Sequence, residues 1–214
     1  MIKIENTDVN GFDAAIRGMR NPLNSWDKSD SETDAFGCVT IGRNDFDLMM
    51  KLVKAGSDHS KFLRMITVTA DITAPLYWWK EFDTYKIGTV RNSCSTMHTI
   101  HKKPFEIDDF SHDMLCTNSE NALQKIIDVL NLERRNFIAS GDKFCWYQII
   151  QLLPSSYNQR ATVQMNYAVL RNMYHARKNH KLNEWRAFCE WVHGLPMPEL
   201  ITEGGGDHGT ASAG

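Results

Sequence analysis

The sequence predicts an α+β fold, and three observations predict it. Residues 65–72 alternate strictly, with Met65, Thr67, Thr69 and Asp71 against Ile66, Val68, Ala70 and Ile72, the period of a strand with one buried face. Residues 45–55 repeat apolar side chains at helical spacing through Phe46, Met49, Met50 and Val53. Residues 120–132 do the same through Leu123, Ile126, Ile127 and Leu130. Neither an internal repeat nor a domain boundary is visible. The expectation is one domain over 1–201 followed by a disordered tail over 202–214, where Gly204-Gly205-Gly206 leads into small residues.

The remaining elements follow in order. Residues 2–5 alternate and suggest a short strand. Phe12, Ala15, Ile16 and Met19 set a helical period over 12–19. Residues 21–37 are polar and read as a long loop, which in a compact domain tends to be functional or mobile. Asn44 is placed to cap the helix 45–55, and Gly56 to end it. Pro75 opens a helix through Phe82, because proline suits a first helical turn. Residues 84–100 are rich in Ser, Thr and Asn and show little periodicity. Ser119 can cap the helix 120–132. An apolar helix over 144–153 ends at Pro154, and 166–193 is helical with a break near His180.

Composition narrows the function. Of the 214 residues, 24 are Lys or Arg and 26 are Asp or Glu, a formal net charge of −2 that speaks against a wholesale nucleic-acid binder. No run approaches the roughly 18 apolar residues of a membrane helix, and residues 1–5 lack the layout of a signal peptide. Cys38, Cys94, Cys116, Cys145 and Cys189 are odd in number and form no C-x-x-C, which fits a reducing cytoplasm better than a disulfide framework.

Two segments carry candidate chemistry. Arg160, Arg171, Arg177 and His180 are either a solvated basic surface or an anion site, since Arg holds phosphate or a carbonyl edge bidentately. Arg177 follows a helical face with Leu170 and Tyr174, so it needs either a carboxylate such as Glu184 or a ligand. Residues 78–98 pack hydroxyls and amides beside Lys86 and Arg91 after an aromatic run. They are either a polar surface loop or a set of donors to phosphate oxygens. His98, His101, His112 and Cys116 are a ligand set that zinc accepts, but not at a standard spacing, so no metal site is assigned.

These segments and the strand before them resemble the flavin-dependent thymidylate synthases in order and spacing. A helix ending at Gly56 leads through Ser60-Lys61-Phe62 into the strand 65–72 and Ala74-Pro75. Residues 84–96 stand where the family has its signature R-H-R-x-x-S-x-N-x-x-S-x-R. Lys86 and Thr89 are conservative replacements there, while Thr84, Tyr85, Arg91, Cys94 and Thr96 depart from it. Leu153-Pro154, Arg160, Asn166, Ala176-Arg177, His180 and Glu184 match the C-terminal pattern, with Arg160 in a turn and Asn166 on a strand.

The resemblance implies a central antiparallel sheet flanked by helices and a homotetramer with shared active sites. It implies FAD as cofactor, with NADPH and methylenetetrahydrofolate as cosubstrates if the family chemistry is kept. The activity implied is methyl(ene) transfer to a pyrimidine deoxynucleotide, dUMP to dTMP or a related 5-modification. It places Ser60, Lys86, Arg91, Asn166 and His180 toward flavin. Arg160, Arg177 and Ser95 bind the nucleotide, with Arg177 at the pyrimidine edge as the catalytic residue. Cys94, at the family's second serine, is read as a small polar filler. The degenerate signature keeps a second reading open, a catalytically altered or inactive nucleotide-binding protein on the same fold.

Overall fold

The computed structural model describes residues 1–204. In chain order its elements are β1 (Lys3–Asn10), α1 (Phe12–Arg20), β2 (Glu32–Thr33), β3 (Val39–Thr40), α2 (Arg43–Lys54), β4 (Thr67–Pro75) and α3 (Leu76–Phe82). There follow β5 (Thr89–Ser93), α4 (Thr96–Thr99), α5 (Thr117–Ser140), α6 (Lys143–Leu152), β6 (Asn158–Asn166), α7 (Tyr167–Arg177), α8 (Asn183–His193) and α9 (Glu199–Thr202). Strands β1, β4, β6 and β5 form one sheet in that order, and β2 pairs β3 antiparallel as a separate ribbon. Leu76 N donates to Tyr157 O at 3.0 Å and Tyr167 N to Ile66 O at 2.9 Å, which makes β4 and β6 antiparallel. Cys94 N to Arg160 O at 2.9 Å and Asn166 N to Gly88 O at 3.3 Å do the same for β5 and β6.

Tertiary contacts divide the chain into two compact units. The first holds Met1–Asn6, Ala70–Thr84 and Arg91–Val163, and the second holds Thr7–Thr69, Tyr85–Val90 and the rest from Gln164.

In the first unit, α5 and α6 pack as a hairpin turned at Gly141, whose φ of 69° is the left-handed conformation a helix end favours in glycine. Asp142 caps α6 through Phe144 N at 2.9 Å. Leu123, Ile127, Leu130 and Ile149 bury against Ile100, Phe105 and Phe110. Trp78, Trp79 and Phe82 of α3 are buried together, with Trp78 stacked on Phe82 at 5.1 Å. In β6, Ala161 and Val163 face inward while Arg160 and Thr162 are exposed, the alternation of a sheet with one covered face.

In the second unit, α1 buries Phe12, Ala15, Ile16 and Met19, α2 buries Met49, Met50 and Val53, and α7 and α8 bury Leu170, Met173, Trp185, Phe188 and Val192. Among them lies an ion pair, Arg20 Nε to Asp45 Oδ1 at 2.6 Å, with the side chains 5% and 0% exposed. Asp45 also accepts from Ser29 and Ser31 hydroxyls at 2.6 Å. Burial alone would push its pKa up, but the bonds from Ser29, Ser31 and Arg20 outweigh that and hold it below the usual carboxylate range.

Several expected boundaries move, each for a tertiary reason. Gly42, not Asn44, is the N-cap of α2, and Asp30 supplies the capping oxygens to Asn44 N at 2.8 Å and Asp45 N at 3.0 Å. A Cβ on Gly42 would lie 2.2 Å from Asp30 Cγ, so the loop docks there only against glycine. The expected loop 21–37 contains two single 3-10 turns and β2, because Asp45 and Arg20 organise it from below. The polar stretch 84–100 contains β5 and α4, and β5 shows no alternation because it is mostly exposed at the sheet edge. Helix α5 begins at Thr117, with Cys116 rather than Ser119 at the N-cap position and no side-chain cap bond, and runs on to Ser140. Arg160 lies within β6 rather than in a turn. Thr202 closes α9, and Arg171 holds the carbonyls of Glu203 at 2.5 Å and Gly204 at 2.7 Å. The rest of the expected tail, 205–214, lies outside the described residues.

Candidate functional site

The first unit carries a cavity of about 650 Å³, inside the usual range for small ligands. Ser95, Lys102, Lys103, Tyr157, Asn158 and Arg160 are among its lining residues. Arg160 projects from β6 and bonds Asp71 Oδ2 at 2.8 Å. Asp71 stands opposite on β4 and also accepts from Thr162 at 2.5 Å and Asn6 at 2.8 Å. Those bonds, Thr162 first, then Asn6 and Arg160, hold its carboxyl well below the usual carboxylate range. Arg160 remains half exposed, so its guanidinium is oriented by Asp71 without being buried.

Ser95 begins α4, where its hydroxyl accepts from His98 N at 3.2 Å. A hydroxyl that accepts retains its own proton for donation. Cys94 also lines the cavity, with its carbonyl accepting from Gln159 Nε2 at 2.8 Å. Burial pushes the Tyr157 phenol up, so it stays neutral and able to donate.

Arg91, expected to face flavin, is committed within the same unit. Its Nη1 bonds Asp83 and its Nη2 bonds Gln159, each at 2.6 Å, and its guanidinium lies 4.0 Å over the Trp79 ring. It braces the sheet edge against α3, a role that sequence spacing could not separate from phosphate binding.

The second unit holds Ser60, Lys86, Asn166, Arg177 and His180. Arg177 Nε donates to the Tyr85 hydroxyl at 2.9 Å, and its guanidinium lies 5.0 Å from the Trp185 ring and 5.6 Å from that of Tyr85. His180 is also beside Trp185, ring centroids 6.3 Å apart. Tyr85 and Trp185 therefore set the plane of a half-buried guanidinium at the end of α7. Tyr85, a departure from the family signature, is the partner that sequence reading missed. Asn166 caps α7 through Val169 N at 2.9 Å. Its amide fills the space beside Gly88, where a Cβ would lie 2.6 Å from Nδ2. Ser60 is buried and donates to Gly56 O at 3.0 Å. Lys86 is exposed.

Ser60 donates to Gly56 O, and the Asn166 side-chain oxygen caps α7. The two Nη atoms of Arg91 are taken by Asp83 and Gln159, while its buried Nε has no hydrogen-bond partner among the described residues. Lys86 and His180 stay compatible with the flavin assignment. Among the described residues no three His, Cys, Asp or Glu side chains are gathered for a metal. His112 Nδ1 bonds Phe110 O at 2.9 Å, and Cys116 lies 3.4 Å from the Ser119 hydroxyl. Nor is any described helix long and apolar enough to cross a membrane.

No protein-family model matches the sequence. No curated protein matches it either. Solved structures do. Thymidylate synthase X (ThyX) from Helicobacter pylori, crystallised with FAD and dUMP, superposes with a TM-score of 0.67 at 16% identity, over 94% of this chain and 97% of that one. The UMP/dUMP methylase PolB from Streptomyces cacaoi, bound with 5-Br dUMP, gives 0.65 at 15% identity, over 94% and 95%. Identity this low speaks to architecture. With TM-scores of 0.67 and 0.65 over 94% of its length, the chain has the fold of the flavin-dependent thymidylate synthases.

Proposed function

We propose that the protein binds a pyrimidine nucleotide, and that this is the function its geometry supports best. The observation that carries the reading is the cavity of the first unit, lined by Ser95 and by Arg160, which Asp71 orients. Such a guanidinium, half exposed and held in plane, suits a phosphate monoester. Arg177, fixed by Tyr85 and Trp185, suits the polar edge of a planar ring. The solved structures with this fold were crystallised with dUMP or 5-Br dUMP, which supports a pyrimidine nucleotide as the ligand class.

A second reading retains transfer chemistry: flavin-dependent methyl(ene) transfer to dUMP or a related 5-modification. NADPH and methylenetetrahydrofolate are its cosubstrates. The fold shared with a ThyX crystallised with FAD favours it. The departures of Thr84, Tyr85, Cys94 and Thr96 from the family signature favour the binding reading. A homotetramer and a cytoplasmic location belong to either reading.

Calorimetry with dUMP tests the first reading. Wild type binds, and Arg160→Ala weakens binding at least tenfold. Arg177→Lys keeps charge but loses the planar fork, and costs about 1–3 kcal/mol, the range for hydrogen bonds to charged groups. Wild type without affinity for dUMP or UMP overturns the reading. Absorbance in the flavin bands, before and after added FAD, decides between the two: bound flavin brings the transfer reading forward.

A further inference from the structure

Four side-chain cations line the cavity of the first unit: Lys3, Lys102, Lys103 and Arg160. Three are already paired with carboxylates. Lys3 bonds Glu5 at 2.8 Å, Lys103 bonds Asp109 at 2.5 Å, and Arg160 bonds Asp71 at 2.8 Å. Lys102 has no carboxylate within ion-pair distance among the described residues.

An exposed lysine is ordinarily just solvated, so its backbone setting matters. The segment bearing Lys102 is fastened to α5 at both ends. Ile100 and Phe105 are 4% and 5% exposed in the core beneath. Arg134 Nε bonds His101 O at 2.8 Å, and Asn131 bonds Phe105 through N at 2.8 Å and through O at 2.9 Å. Lys102 N itself donates to Thr99 O at 2.9 Å. The lysine therefore springs from a stapled turn at the cavity wall, not from a mobile loop. Presenting a cation on fixed backbone lowers the ordering cost of binding an anion.

The opposing charges in the wall are few. Asp108 and Asp109 also line the cavity, and Asp109 is taken by Lys103. Asp108 makes no ion pair among the described residues, and Lys102 is the lining side-chain cation that no carboxylate engages within ion-pair distance. Thr96, at the last arginine of the family signature, lines the same cavity and brings no charge.

We propose that Lys102 is the anion-binding cation of this cavity, holding the phosphate of a phosphate monoester together with Arg160 and the Ser95 hydroxyl. The inference rests on the nucleotide reading for the identity of the monoester. For the anion itself it rests only on the cavity. Lysine acts here as a point charge, in the place of a fork-shaped guanidinium.

The test is calorimetry with dUMP, deoxyuridine and inorganic phosphate on wild type, Lys102→Gln, Lys102→Arg and the charge-matched surface control Lys125→Gln. Lys102→Gln weakens both dUMP and phosphate at least tenfold and leaves deoxyuridine unchanged. Lys102→Arg restores binding, and Lys125→Gln matches wild type. Equal affinities in wild type and Lys102→Gln overturn the proposal while the nucleotide reading stands. Wild type that binds neither dUMP nor phosphate overturns both. Phosphate binding that depends on Lys102, without affinity for dUMP or UMP, upholds the proposal and overturns the nucleotide reading.

Discussion

Arg20 and Asp45 carry the sharpest stability consequence of any residue pair. Both are almost fully buried, and Asp45 additionally orders residues 29–31. Removing one partner strands the other as an uncompensated charge. Arg20→Ala is expected to cost about 3 kcal/mol, at the lower end for a broken buried pair, read as a fall in urea midpoint. The pH dependence has a definite sign. Asp45 has a depressed pKa when folded, so its contribution is complete above the unfolded value near 4 and is lost as pH falls through the folded one. Asp45→Asn should flatten that part of the acid-unfolding curve; an unchanged acid limb would contradict the assignment. Arg91 also has a structural setting that can be tested. With Asp83, Gln159 and the Trp79 ring around it, Arg91→Ala should destabilise the protein by about 1–2 kcal/mol from lost charged hydrogen bonds and stacking. A variant of wild-type stability that loses only ligand affinity would return Arg91 to the site.

Helix starts divide into those capped locally and those capped from a distance. Asn166 caps α7 with its own side chain, so Asn166→Ala should cost about 1 kcal/mol in thermal or urea unfolding. Helix α2 is capped by Asp30, twelve residues before Gly42, and no local pattern announces that. Gly11 is constrained more tightly still. Its φ is 96°, and a Cβ there would lie 2.1 Å from the Met65 carbonyl oxygen. Gly11→Ala must therefore move β1 away from the turn at Met65, and a circular dichroism melt should show loss of several degrees. An unchanged melt would mean that the turn gives way freely. At the sheet edge, β5 escaped the sequence pattern because an exposed strand has no buried face to alternate against.

At the scale of the molecule, α5 and α6 leave large apolar side chains open. Phe144 is 68% exposed, Tyr147 53% and Leu132 47%. Exposed apolar area of this kind favours association. Light scattering should give a multiple of the 24.5 kDa chain mass, and a monomer would count against the homotetramer. The sequence by itself determined the helices α1, α2, α6, α7 and α8, the strand β4 and the break near His180. Each is encoded by local periodicity, proline or a cap, which need no distant partner. It also placed Arg160 and Arg177 among the residues to watch. Only the tertiary structure shows what those arginines touch. Asp71 and Tyr85, their partners, lie 89 and 92 positions away in the chain. The same holds for Arg91, which bonds Gln159, 68 positions on. A charged side chain takes its role from whatever its long stem can reach in space, and nothing in its immediate sequence records that.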